Sequence, residues 1–434
     1  MIKKLLALGL PISLMQFGSA SMNIMNTVFV SMYSAEALAV LGGGNGVFWF
    51  VQVTLMAFLF PLDGLFSQRN AELTEKNKLL TNAIYVAIAI AALATLVLYL
   101  FCFFLFSARD QGLSAETFRF IMINGLSLFP LFCFVVVQKY WQSFYCTRVF
   151  SILVLISCMV NFLADYILLS PTFGFLMGAE GVAWATVLSR MTVLVLAVGY
   201  SLYKVNQLEL KGYSVFGYDR ALLGKIMRLG LPSSGHSSLE MASVMLLSYF
   251  SIVFGPEAMA ANQIALTLGM ASFPIYWGVA AAASTYIGGV KAVAGAYSSR
   301  DVISATYRIS LIISVVAASL LWLLSREVTS FFDVPAEAVE LTKTLVMLVA
   351  LYQIADCFQS VTAGVLRGVS IITPVFISNL VCYYVLGLLV FVFCYVGIDM
   401  GYISIWIAFC VGVNASAAVN LWLVKRRFLT LVKI

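Results

Sequence analysis

The chain is a succession of long apolar runs separated by short polar breaks. An α-helix needs about 20 mostly apolar residues to cross a bilayer. Twelve runs of that kind can be read, at roughly 5–33, 37–66, 79–106, 118–138, 149–170, 180–203, 226–254, 258–289, 304–325, 342–366, 374–396 and 401–424. Membrane strands are only about 10 residues long, so the pattern predicts an all-α polytopic membrane protein and not a barrel. The first run is too long for a cleavable signal peptide and lacks a small-residue cleavage site at its end.

Composition sharpens this picture. Of 434 residues 62% are hydrophobic and 10% charged, where soluble proteins are about 25% charged. The basic residues give an orientation. With the N-terminus inside, 20 of the 25 Lys and Arg fall on the cytoplasmic side, from Lys3 and Lys4 to Lys433. Four fall outside (Arg109, Arg119, Arg326 and Lys343), and Arg190 lies within a run. Both termini are then cytoplasmic, as an even number of spans requires. This bias accounts for the net charge of +6 and gives no reason to expect nucleic acid. The eight cysteines lie in or beside apolar runs without CxxC or Cys/His spacing, so they read as small hydrophobes. No metal cluster, nucleophile motif or phosphate loop is present, so neither an enzyme nor a cofactor is expected.

The chain repeats itself. A shift of 221 carries Gly9-Leu10-Pro11 onto Gly230-Leu231-Pro232, and SAEALA (34–39) onto GPEAMA (255–260), Glu36 onto Glu257. QSFYCTR (142–148) resembles QSVTAGVLR (359–367) near a shift of 217. The expected organisation is two six-helix halves, 1–203 and 226–434, joined by a polar cytoplasmic link at 204–225. Six is even, so both halves enter the membrane the same way and form parallel repeats suited to alternating access.

Several stretches resemble the MATE (multidrug and toxic compound extrusion) family across nearly the whole chain. They are the N-terminal run with MNIMNTVFVSM, FPLDGLFSQ (60–68), MGAEGVAWATVLSR (177–190), SSLEMASVM (237–245) and YQIADCFQSVTAGVLRGV (352–369). The resemblance implies a V-shaped two-lobed bundle that exports organic cations or amphipathic drugs in exchange for inward sodium or protons. In the family's NorM-like branch cavity carboxylates stand at the positions of Glu240 and Asp356. Its DinF-like branch uses an N-x-x-x-D motif, here Asn161 and Asp165, with a first-helix Asp. This chain reads Asn26-Thr27-Val28-Phe29 where many members read D-T-V-M, so that Asp is missing.

Ionisable groups inside spans are costly and mark function. Glu240 lies eleven residues past Leu229 and Asp356 eleven past Leu345, both about 17 Å into their helices. Two acids at one level can bind sodium, share a proton or attract a cation. His236 precedes Glu240 by one turn and faces the same way. In the first half Asn26, Asn161, Asp165 and Thr186 are expected within one layer near the outer side. That layer is a possible sodium site or a hydrogen-bond network around Asp165. Asn23 and Asn26, three apart, share a helix face. Arg190 is expected to pair with Asp165. Among the aromatics, Trp49, Phe50, Tyr140, Trp141, Phe273, Tyr276 and Trp277 are candidates for lining a cavity. Pro11, Pro232 and Pro274 are expected to kink their helices.

The expected partners are a small organic cation or drug and the lipid bilayer, with the chain acting as a monomer in a prokaryotic plasma (inner) membrane. The alternative is a lipid-linked saccharide flippase of the same two-lobed superfamily. Such a protein must hold pyrophosphate and should carry several bases in its spans. Here Arg190 stands alone against three deep acids, which favours cationic cargo.

Overall fold

The computed structural model describes residues 1–68, 73–106, 113–169, 176–207, 217–290, 297–325, 327 and 336–431. It is all-α, with twelve helices long and apolar enough to span a membrane. They are α1 (Ile2–Met32), α2 (Ala37–Ser67), α3 (Leu73–Phe104), α4 (Ala115–Gln142), α5 (Thr147–Leu169), α6 (Gly178–Lys204), α7 (Arg220–Phe254), α8 (Pro256–Gly289), α9 (Ser299–Leu323), α10 (Val339–Gly368), α11 (Thr373–Gly397) and α12 (Ile403–Phe428).

Each expected run overlaps one of these helices, and caps explain where a helix outgrows its apolar window. The Asp219 carboxylate accepts from the backbone N–H groups of Ala221 and Leu222, which starts α7 before residue 226. Ser298 and Asp301 cap each other's backbone N–H at the start of α9. Interruptions have local causes too. Pro130 cannot donate to the carbonyl one turn back, and α4 is broken at Ser127, whose hydroxyl donates to the Asn124 carbonyl. Pro274 sits at the start of the second segment of α8, after a break at Ser272. Pro11 and Pro232 lie inside unbroken helices. Helix α11 widens into π-turns at Leu380–Leu386 and Phe393–Gly397.

The chain divides into two compact units, Leu14–Ser234 and Met1–Ser13 with Gly235–Ile434. These boundaries differ from the expected 203 and 226. Helix α1 packs in the C-terminal unit as far as Ser13, and α7 packs in the N-terminal unit as far as Ser234. The two cut points, Ser13 and Ser234, are related by the 221-residue shift of the repeat. In the C-terminal unit a Cβ on Gly278 would lie 2.5 Å from the Gly9 carbonyl oxygen, so helix backbones touch there. In the N-terminal unit the Ser233 and Ser234 hydroxyls donate to the carbonyls of Ala57 and Thr54, both at 2.7 Å. The shift carries Ala57 onto Gly278, so both arms seat on equivalent points of α2 and α8.

Of the link 204–225, residues 208–216 lie outside the described residues. Its end is tied to α3: the Asn82 amide donates to the Gly217 carbonyl at 2.9 Å and accepts from the Asp219 N–H at 3.0 Å. Arg69, Arg109, Lys211, Lys291, Arg326 and Lys433, used above for orientation, also lie outside the described residues, as does the side chain of Glu36. All eight cysteines are free.

A close helix pair in the C-terminal unit uses small residues four apart. Gly364 and Gly368 of α10 lie against the carbonyls of Ala280 and Ser284 of α8, with room for no Cβ: one would fall 2.4 and 2.6 Å from those oxygens. Gly364→Ala is therefore expected to lower the melting temperature of the detergent-purified protein, by overpacking worth about 1–3 kcal/mol. Gly46→Ala, where a Cβ meets nothing within 4 Å, is the control and should be neutral or stabilising. Equal melting temperatures for both variants would show that α8 and α10 are not in backbone contact.

Candidate functional site

In the N-terminal unit the structure brings Asn26, Asn161, Asp165 and Thr186 together from α1, α5 and α6. Asp165 and Asn161 are fully buried. Hydrogen bonding assigns the Asn26 amide nitrogen to Asp165 Oδ2 at 2.8 Å, Asn161 Oδ1 at 2.9 Å and the Met22 carbonyl at 2.9 Å. The other amide atom lies 3.4 Å from Thr186 Oγ1, whose hydroxyl donates to the Val182 carbonyl. Asp165 Oδ1 and Asn161 Nδ2 are buried with no partner among the described residues. An N–H aimed at both oxygens suits a hydrogen-bond network. A sodium ion there would require the Asn26 amide to turn its oxygen inward.

Asn23 does not join this cluster. Its amide donates to the Ser19 carbonyl of its own helix at 3.3 Å. Only Asn26 is therefore buried against other helices, although the two share an approximate face.

Arg190 does not pair with Asp165, contrary to the expectation. Its guanidinium reaches α4 and α2 instead, donating from Nη1 to Ser127 Oγ at 2.7 Å and from Nη2 to Gln52 Oε1 at 2.8 Å. The Phe48 ring centroid lies 5.6 Å away. The reason is depth and direction: Arg190 is one turn deeper than Thr186, and its side chain extends away from α5.

A buried ion pair in the same unit escaped the sequence reading. Lys139 Nζ lies 2.7 Å from Asp63 Oδ1, which also accepts from Gln142 Nε2 at 3.1 Å. Its signal was available as an Asp inside FPLDGLF and a Lys inside VVVQKYWQ. Nothing in either stretch says that the two meet.

In the C-terminal unit α7 and α10 place the acids. His236 Nε2 lies 3.4 Å from Glu240 Oε1, one helical turn along α7. Gln359 of α10 donates to the same oxygen at 2.8 Å, and Tyr383 of α11 donates to Gln359 Oε1 at 2.8 Å. Tyr383 stands in the first π-turn of α11, and its neighbour Tyr384 donates to the Leu239 carbonyl at 2.9 Å. One wide turn thus sends two adjacent tyrosines toward α10 and α7. The Glu240 side chain is 26% exposed, so it is held yet reachable. Asp356 is half-buried three residues before Gln359 and within electrostatic reach of Glu240, Tyr352 and Tyr383. Arg367, stacked 5.3 Å over Trp277, is within electrostatic reach of Glu240 and His236.

Three of the candidate aromatics are packed inside. Tyr140 donates to Asn77, Trp141 to Ser201 and Tyr276 to Gln353. Phe273 and Trp277 stack on each other with centroids 5.9 Å apart.

Twelve spans in two repeated halves, with ionisable groups at mid-membrane depth, suit a membrane transporter. A family model agrees: MatE matches residues 11–167 and again 232–396. The chain belongs to this family of membrane transporters, and the two matches begin 221 residues apart, at Pro11 and Pro232. Among similar proteins, the probable multidrug resistance protein NorM of Mannheimia succiniciproducens is 25% identical over 96% of this chain and 91% of its own length. The multidrug resistance protein MdtK of Photorhabdus laumondii is 23% identical over 96% and 93%. Among solved structures, the eukaryotic MATE transporter AtDTX14 superposes with a TM-score of 0.84 at 18% identity, over 98% of this chain and 95% of that one. A MOP superfamily transporter from Pyrococcus furiosus, described by the reverse polarity of its binding pocket and a different function, superposes with a TM-score of 0.86 at 18% identity, over 100% and 97%. The fold is therefore common to pockets of opposite polarity, and the charges of this chain must be argued from its own residues.

The N-terminal cluster gives a direct test. Asn26→Leu removes the N–H shared by Asp165 and Asn161 and is expected to destabilise the protein by about 1 kcal/mol. Paired with Asp165→Asn in a double-mutant cycle, it should show coupling. Additive melting-temperature changes would place Asn26 outside the Asp165 network.

Proposed function

We propose that the protein exports organic cations or amphipathic drugs in exchange for inward sodium or protons, by alternating access. The observation that carries this reading is Glu240: an acid at mid-membrane depth, partly exposed, held by the neutral donor Gln359 and by His236, with Arg367 and Asn379 within electrostatic reach. Asp356 adds a second carboxyl within its field. A carboxyl held in this way can exchange a coupling cation and a cationic substrate at one place, so that each displaces the other. The names of the curated relatives, which speak of multidrug resistance, support the same cargo. The Asn26 orientation favours the acids of the C-terminal unit over the Asp165 cluster as the coupling site. One elementary charge moving inward across 100 mV gains about 2.3 kcal/mol, roughly fiftyfold accumulation before any concentration gradient is added. The setting we propose is a prokaryotic inner membrane, with a monomeric chain whose termini are both cytoplasmic.

The experiment is ethidium transport in proteoliposomes with sodium and pH gradients imposed separately. One of the two gradients is expected to drive uptake against the dye gradient. Glu240→Gln and Asp356→Asn should each reduce driven transport at least tenfold, about 1.4 kcal/mol or more, with the melting temperature little changed. Full driven transport in either variant would remove that acid from the mechanism. Scrambling of a polyprenyl-pyrophosphate sugar without dye transport would replace the reading with a flippase.

A further inference from the structure

An apolar groove runs between α11 and α12 in the C-terminal unit. Its floor is made by Ser378 and Cys382, small buried side chains one turn apart on α11. Ile377 and Val381 wall it on the α11 side, Val419 and Leu423 on the α12 side. Ile377, Val381 and Val419 are exposed, so the groove is open along its length. It holds about 410 Å³, within the range of ~300–1,000 Å³ typical of ligand sites. From Thr373 to Val381 it follows α11 for eight residues, about 12 Å, close to half of a hydrocarbon core about 30 Å thick.

The groove faces away from the acids. Tyr383 of α11 reaches toward Gln359, and Asn379 is within electrostatic reach of Glu240. Ile377 and Val381 each stand two residues before these, about 200° around the helix, so they occupy the opposite face. What meets apolar side chains at that depth and on that face is hydrocarbon.

One end of the groove carries charge. Helix α11 begins and α12 ends at the same face of the membrane, since successive spans run in opposite directions. There α12 bears Lys425, Arg426 and Arg427, all exposed. Arg426 and Arg427 follow Leu423 by three and four residues, so they stand one turn beyond the groove on the same helix face. The Arg426 guanidinium lies 5.3 Å from the ring centroid of Trp422, an exposed tryptophan of the kind that sits at headgroup level. Neither α11 nor α12 contains an acidic residue, so the charge at this end of the pair has one sign. Guanidinium forks match phosphate oxygens through parallel N–H bonds. An apolar slot that leads into such forks is complementary to a molecule with a hydrocarbon tail and a phosphate head.

We infer that this groove is a site for one acyl chain of an anionic phospholipid, whose phosphate is held by Arg426 and Arg427. The site lies within the C-terminal unit and is independent of which cargo the protein exports.

Detergent-purified protein is titrated with phosphatidylglycerol and with phosphatidylcholine of identical acyl chains, and bound lipid is counted by native mass spectrometry. The wild type is expected to hold one phosphatidylglycerol about tenfold or more tightly than phosphatidylcholine. The double variant Arg426→Gln, Arg427→Gln should lose most of that preference, about fivefold for each guanidinium. Val419→Trp and, from the facing wall, Ile377→Trp fill the groove from exposed positions. Each should weaken phosphatidylglycerol at least fivefold with the melting temperature unchanged. Arg300→Gln, an exposed base at the start of α9 on the same membrane face, is the control and should keep the preference. Equal affinity for the two lipids in the wild type overturns the proposal. So does an equal loss in Arg300→Gln, which makes the preference a general effect of surface charge. Full binding in either folded tryptophan variant shows that no chain lies in the groove. Glycerol 3-phosphate separates the head from the tail: if it displaces the lipid at equal concentration, the bases are a simple anion site and the proposal falls.

Discussion

In hydrocarbon a peptide group has no partner but another peptide group, and this constraint shapes everything above it. It forces the chain into helices whose backbones satisfy themselves. It leaves side-chain hydroxyls to serve carbonyls where a helix is interrupted, as Ser127 does for Asn124 at the break in α4. It also makes each polar side chain at depth a commitment, since lipid supplies neither donor nor acceptor. Asn23 meets that demand by bonding to its own helix, and Asn26 by bonding to a neighbouring one. The first solution is local and carries no information about function. The second fixes the rotation of α1 against α5.

The constraint also decides what could be read from the sequence. Span number and the all-α fold follow from length and hydropathy, because the bilayer imposes a fixed thickness on each run, and the repeat follows from residues that recur at a constant shift. Depth is legible as well, since a helix rises 1.5 Å per residue, and depth alone placed Asn26, Asn161, Asp165 and Thr186 in one layer. Rotation about the helix axis is not legible. Helices such as α2 and α8 are apolar nearly all round, so their sequences mark no inner face. That is why the partner of Arg190 was misread and why the chain from Glu240 through Gln359 to Tyr383 went unseen. Tyr383 depends further on π-turns in α11 that no residue type announces. The division of the units at Ser13 and Ser234 is tertiary for the same reason: α1 and α7 are each continuous helices, and the repeated Gly-Leu-Pro just before each cut does not say which neighbours the two arms meet.

The buried charges differ in how completely they are answered, and the difference separates structure from function. Asp63 and Lys139 answer each other, with Gln142 as a further donor. A carboxylate locked to a lysine cannot take a proton or a cation without losing its pair, so this site serves to bind α2 to α4. Glu240 is held differently. Gln359 is neutral, and a neutral amide can turn to meet a carboxyl whether it is charged or protonated. The contact therefore holds the side chain in place without fixing its charge. Tyr383 holds Gln359 in turn, so the support comes from a third helix that bears no acid of its own. Arg190 is placed by neutral acceptors alone, Ser127 and Gln52. The buried charges of the two units thus grade from a closed pair, Asp63 with Lys139, to a carboxyl at Glu240 that an amide and an imidazole hold while the Arg367 cation stands within its field.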